Sequence, residues 1–103
     1  MADERVLIVE DEKDLLEAMS DYMHNAGYRV SEAADGKTGL AIALEERPDV
    51  ILLDLMMPIM DGHEMLQKLR VDRWGMHVPV VIMSAMDDIH NIGNAYETGI
   101  TEY

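Results

Sequence analysis

Two short apolar runs, Val6-Leu7-Ile8-Val9 and Val50-Ile51-Leu52-Leu53, each stop at acid: Glu10-Asp11 after the first, Asp54 after the second. A run that is apolar at every position suits a strand covered on both faces, the situation inside a parallel sheet. A third run, residues 78–83, carries Pro79 near its start, where a missing N–H is tolerated. The segment after Asp54, Leu55-Met56-Met57-Pro58-Ile59-Met60-Asp61-Gly62, is punctuated by Pro and Gly and reads as a loop. Two buried strands that end in carboxylates predict one acidic pocket at one edge of a sheet.

The intervening segments are helical. Residues 13–26 place Leu15, Met19, Tyr22, Met23 and Ala26 at helical spacing, and Gly27 supplies the stop. Residues 38–46 carry Leu40 and Leu44 on one face and end before Pro48. Residues 63–70 carry the apolar Met65, Leu66 and Leu69, and residues 87–97 carry Ile89, Ile92 and Tyr96 before Gly99. Residues 5–9, 28–32, 49–53 and 78–83 read as strands, and 101–103 as the start of a fifth. Residues 28–32 alternate in polarity and belong at an edge. Short strands alternating with helices of this length require right-handed crossovers and a parallel sheet. The expectation is a single α/β domain over 1–103, doubly wound, with strand order 2-1-3-4-5. Its chain ends inside strand 5, with the last helix missing. Ligands of such sheets bind at the carboxyl ends of the strands where the order reverses, between strands 1 and 3. Glu10, Asp11 and Asp54 fall there.

Composition narrows the partners. Eight basic against 21 acidic residues give a formal charge of −13, which repels nucleic acid and anionic lipid. No apolar run approaches the roughly 20 residues of a membrane helix. Met1-Ala2-Asp3-Glu4 lacks the basic-then-apolar pattern of a secretory leader. Without cysteine there is neither a disulfide framework nor a thiolate metal site, and the expected location is the cytoplasm. Ten Met and no Phe point to Met as core filler. His24, His63, His77 and His90 show no ligand spacing and receive no role.

Gathering three carboxylates is costly, since two unit charges about 4 Å apart repel by about 4 kcal/mol at an effective dielectric of 20. Either one takes up a proton or a cation neutralises the group. A hard divalent ion with oxygen ligands is the natural partner, and Mg²⁺ combines one or two carboxylates with water and substrate phosphate. A carboxylate beside such an ion can act as the nucleophile in phosphoryl transfer and form an acyl phosphate. Each residue also has a simpler role open to it. Asp11 can cap the following helix, Glu10 can be a solvated strand end, Asp54 can form a turn, and Asp61-Gly62 reads as a turn signal. Ser84, which follows the fourth expected strand at 78–83, is a helix cap or turn hydroxyl, or a hydrogen-bond donor to a phosphoryl group on Asp54. Tyr103 is an edge aromatic in the bland reading.

These motifs together resemble the receiver domain of response regulators in two-component signal transduction. The resemblance runs from about Arg5 to Tyr103. It is carried by Glu10-Asp11, by Asp54, by Met57-Pro58-Ile59-Met60-Asp61-Gly62, by Ser84-Ala85, and by Gly99 with Tyr103. It implies a flavodoxin-like fold in which Asp54 accepts phosphate from a sensor histidine kinase or a histidine phosphotransfer protein. It further implies Mg²⁺, or Mn²⁺ in its place, held by Asp11, Asp54 and the backbone carbonyl of Met56, with Glu10 acting mainly through water. Ser84 would bond the phosphoryl group and Tyr103 would swing inward as the switch aromatic. The helix from Asp87 and the adjoining strand edge would present the switched face to an output domain or protein. The domain would catalyse its own phosphorylation from small donors and its own dephosphorylation without being an enzyme in the ordinary sense.

The chain departs from the family pattern in two places. The first acid is Glu rather than Asp, and the family's lysine at the end of strand 5 falls beyond Tyr103. The expectation is therefore a fragment of a longer protein. As a whole molecule it would be of low stability or would self-associate through the exposed sheet edge. The alternatives are a receiver-like interaction domain that carries no phosphate and a Mg²⁺-dependent phosphohydrolase. The hydrolase needs a second acid two residues after its nucleophile, and position 56 is Met. A flavin or nucleotide site is disfavoured because the loop after the first strand is acidic and lacks glycine.

Overall fold

The structure, a computed structural model, describes residues 4–54 and 60–82. Within them the order is β1 (Arg5–Val9), α1 (Lys13–Asn25), β2 (Arg29–Ala33), α2 (Gly36–Glu46), β3 (Val50–Leu53), α3 (Gly62–Arg70) and β4 (Val80–Ile82). The strands form one parallel sheet in the order β2-β1-β3-β4. This is the predicted doubly wound arrangement, with the more polar β2 at the edge. The fifth strand, expected to begin at 101, and the helix expected over 87–97 lie outside the described residues.

Side-chain alternation divides the sheet into two faces. Leu7, Val9, Ile51, Leu53, Val80 and Ile82 join Met65, Leu66 and Leu69 of α3 and Ala43 of α2 in one buried cluster. Leu52 points to the opposite face, where it lines a cavity with Ala18, Met19, Tyr22 and Met23 of α1. Each fully buried aliphatic side chain in the cluster stabilises the fold by roughly 1.5–3 kcal/mol.

Local sequence sets the helix ends. Gly27, at φ +100°, follows the last turn of α1, and its N–H reaches the His24 carbonyl at 3.0 Å. The stop predicted at Gly27 is present. Arg47 ends α2 in the left-handed region at φ 51°, immediately before Pro48. Both α2 and α3 begin on aspartate caps. Asp35 accepts the Thr38 N–H at 2.7 Å and Asp61 accepts the Glu64 N–H at 2.9 Å. The expectation that Asp61-Gly62 is only a turn signal is thus corrected, because Asp61 starts α3. α2 also begins at Gly36, two residues earlier than the apolar spacing from 38 indicated, because its first turn follows the cap rather than the apolar stripe. Arg70 donates at 2.8 Å to the carbonyls of both Gly75 and Val78, which folds the connection from α3 into β4.

Candidate functional site

The site sits where β1 and β3 end. Val9 pairs with Leu53, and one step further the Asp54 N–H donates to the Val9 carbonyl at 3.0 Å. On the other side the Glu10 N–H donates to the Ala33 carbonyl at 3.0 Å. The sheet's hydrogen bonding thus carries past β1 and β3 and sets Glu10 beside Asp54. By alternation Glu10 follows Val6 and Ile8, and Asp54 follows Val50 and Leu52, so both belong to the α1 face. Asp11 is the next residue after Glu10. Carboxylate oxygens of Glu10, Asp11 and Asp54 lie within 4.8 Å of one another.

The three acids differ in environment. Glu10 is 4% exposed, Asp54 is half-buried and Asp11 is exposed. Glu10 stands in the acidic cluster as expected, and its burial rules out the simpler role of a solvated strand end. Its Oε2 accepts the Glu12 N–H at 2.9 Å, at the start of α1. Capping of α1 by Asp11 is not what occurs, because Glu12 occupies the cap position and makes no side-chain cap bond. Burial pushes the Glu10 carboxyl up to about 7. The Glu12 N–H opposes this, whereas the negative charge of Asp54 and the hydrogen bond and charge of Asp11 add to it.

An acid whose ionisation is opposed first by burial and then by two acidic neighbours marks a cluster short of positive charge. The donor set is all hard oxygen, and it fits Mg²⁺ or Mn²⁺ better than a soft or nitrogen-preferring metal. Met56, Ser84 and Tyr103 lie outside the described residues. His63, which received no role from the sequence, is on the first turn of α3, and its Nε2 is buried without a hydrogen-bond partner among the described residues. No helix among the described residues is long and apolar enough to cross a membrane.

Known proteins share this sequence pattern and this fold. A family model described as the response regulator receiver domain matches residues 6–103. The DNA-binding dual master transcriptional regulator RpaA of Synechocystis sp. is 35% identical over 99 residues, 96% of this chain and 41% of RpaA. The chain therefore spans about two-fifths of that relative's length. The chemotaxis protein CheY4 of Vibrio cholerae superposes with a TM-score of 0.92 at 31% identity, over 98% of this chain and 84% of its own. The phosphorylated cyanobacterial phytochrome response regulator RcpA superposes with a TM-score of 0.89 at 28% identity, over 99% and 79%.

Proposed function

Because the chain belongs to the response regulator receiver family, we propose that it is a phosphoacceptor switch in which Asp54 receives a phosphoryl group. The observation that carries this reading is the convergence of Glu10, Asp11 and Asp54 within 4.8 Å at the ends of β1 and β3. Asp11, Asp54 and the backbone carbonyl of Met56 would hold a divalent cation, with Glu10 reaching it through water. Bound there, Mg²⁺ would spread the charge that develops on the transferred group.

The chain's own residues do the rest. The Asp54 N–H is tied to Val9, so its carboxylate is presented from a fixed strand end. One carboxylate oxygen attacks the phosphorus of a phosphohistidine on a sensor kinase or phosphotransfer protein. The P–N bond breaks, its electron pair returns to the imidazole, and an acyl phosphate forms on Asp54. Ser84 would donate to a phosphoryl oxygen. The modification adds about −1.5 to −2 charge to a pocket that is already acidic, enough to bias a two-state element. That element is assigned to the segment from Ser84 through the helix expected at 87–97 to Tyr103. RcpA is described as phosphorylated, and that similarity supports the same chemistry here. RpaA is a transcriptional regulator, so an attached or separate output protein is part of the proposal, as is a cytoplasmic site of action.

The test is incubation with acetyl phosphate and Mg²⁺, followed by intact-mass and peptide analysis. The expected result is one added phosphoryl group on Asp54, absent in Asp54→Ala and absent without the metal. A phosphoryl group found elsewhere, or none with the metal present, overturns the reading.

A further inference from the structure

The amino ends of the strands form a second surface, at the opposite end of the sheet from the acidic cluster. Its charge runs against that of a chain whose formal total is −13. Arg5 and Arg29 start β1 and β2 side by side, Arg47 precedes β3, and Arg73 and His77 lie in the connection into β4. Where β3 and β4 begin, there is a groove of about 240 Å³. Among the described residues, Pro48, Val78, Pro79 and Trp74 give it apolar walls. Arg47 adds a cation and His77 an imidazole. Asp49 also lines the groove, and its Oδ2 accepts the Arg5 N–H at 2.7 Å, which brings that arginine alongside.

The groove is formed in advance of any partner. Asp72 Oδ2 accepts the N–H groups of Trp74 at 2.9 Å and Gly75 at 2.8 Å. The His77 N–H donates to the Trp74 carbonyl at 3.1 Å, and Arg70 donates to the Val78 carbonyl at 2.8 Å. Trp74 is only partly buried and packs against the core cluster, so its ring is seated from beneath. A connection tied in this way loses little freedom on binding. Next to His77, Met76 is 53% exposed and extends the apolar surface. Trp and Arg around an apolar pocket are the residue types that dominate protein interfaces.

We propose that this groove docks a short acidic segment of a partner protein. One apolar side chain of the segment enters beside Trp74, and flanking carboxylates meet Arg47 and the His77 ring N–H. The volume is below the roughly 300–1,000 Å³ of small-molecule sites and suits a single side chain. A nucleic acid fits poorly, because its dense phosphate charge is repelled by the rest of the molecule. A few carboxylates held against local cations avoid that repulsion. The docking site is separate from the phosphoacceptor site and does not rest on the proposal made for it.

Arg47 gives the test its discriminating variant. It ends α2 at φ 51°, in the left-handed region where glycine sits without steric cost. Arg47→Gly should therefore fold and melt at or above the parent temperature while losing the cation. Trp74 is the only tryptophan of the chain, so its fluorescence reads the groove directly. The probes are peptides with Phe, Leu or Met between glutamate pairs, with lysine-flanked versions and a short single-stranded DNA as comparisons. At least one glutamate-flanked peptide should shift the Trp74 emission saturably, and more weakly as salt is raised. Arg47→Gly should weaken that binding roughly tenfold, the scale of a hydrogen bond to a charged group. Lys37→Gln, on the first turn of α2 at the other end of that helix, should bind as the parent does. The proposal is overturned if no glutamate-flanked peptide shifts the emission, or if the lysine versions or the DNA bind as well. Undiminished binding by Arg47→Gly overturns it too. An emission change that follows protein concentration alone, with a dimer in sedimentation, assigns the groove to a second copy and overturns the partner.

Discussion

The Asp54 N–H and the Val9 carbonyl are 3.0 Å apart across the β1–β3 pair, which places Asp54 beside Glu10, the residue after Val9. Two carboxylates are thus brought together by sheet register rather than by flexible side chains. The energetic cost of that register is local repulsion, and it is open to measurement.

Removing one charge should relieve the repulsion. Asp54→Asn is expected to raise the melting temperature of the metal-free protein by about 4–8 °C, the equivalent of about 1 kcal/mol in a domain of this size. In saturating Mg²⁺ the advantage should vanish or reverse, because the amide is a poorer ligand than the carboxylate. Thermal melts with and without the metal check this, and an Asn variant that melts lower in EDTA would contradict it.

The Glu10 carboxyl implies a pH dependence. Its folded value, about 7, lies above its ordinary 4.5. The protonated form is therefore the one the fold prefers, and its contribution is complete below the unfolded value. As pH rises through 4.5 toward 7, stability of the metal-free protein should fall by on the order of 1–3 kcal/mol from this group. Mg²⁺ competes with that proton, so its apparent affinity should increase from pH 6 to pH 8. Urea unfolding and metal titration across this range measure both trends, and Glu10→Gln should flatten both.

The aspartate caps should matter independently of the chemistry. Asp61→Ala leaves the Glu64 N–H without its acceptor and should cost about 1 kcal/mol. Asp35→Ala should cost a similar amount, since the Asp35 carboxylate accepts from both the N–H and the hydroxyl of Thr38. Chemical denaturation reads each loss. An Asp61→Ala protein as stable as the parent would show that α3 is held by packing alone.

The core on the α2 and α3 side should be the least tolerant part of the molecule. Leu66 is fully buried there, and Leu66→Ala should cost about 2–5 kcal/mol through lost burial and the cavity left behind. Against a total of about 5–15 kcal/mol for an ordinary domain, that is a large share. Val71→Ala, at a position 86% exposed, should change stability by no more than about 0.5 kcal/mol, and denaturation curves of the pair provide the contrast.

Much of the fold was legible because its signals are local. The continuous apolar character of 6–9 and 50–53 and the alternation at 28–32 identified interior and edge strands, and the order β2-β1-β3-β4 followed from crossover rules. Glu10 was harder. An acid after a strand looks the same in sequence whether it is solvated or buried, and its 4% exposure depends on neighbours distant in the chain. The caps at Asp35 and Asp61 were readable in principle, as aspartates just ahead of helical segments, but the Gly that follows each one imitates a turn.

By itself the sequence determined the kind and order of the elements and put carboxylates at the ends of two interior strands, because side-chain periodicity and turn chemistry act over a few residues. Tertiary structure alone decided that Glu10 is buried, that its carboxyl is pushed up to about 7, and that the Gly36 N–H meets the Met60 carbonyl. Those depend on strand register and backbone approach between segments far apart in the chain, where packing of the whole sheet selects the contact.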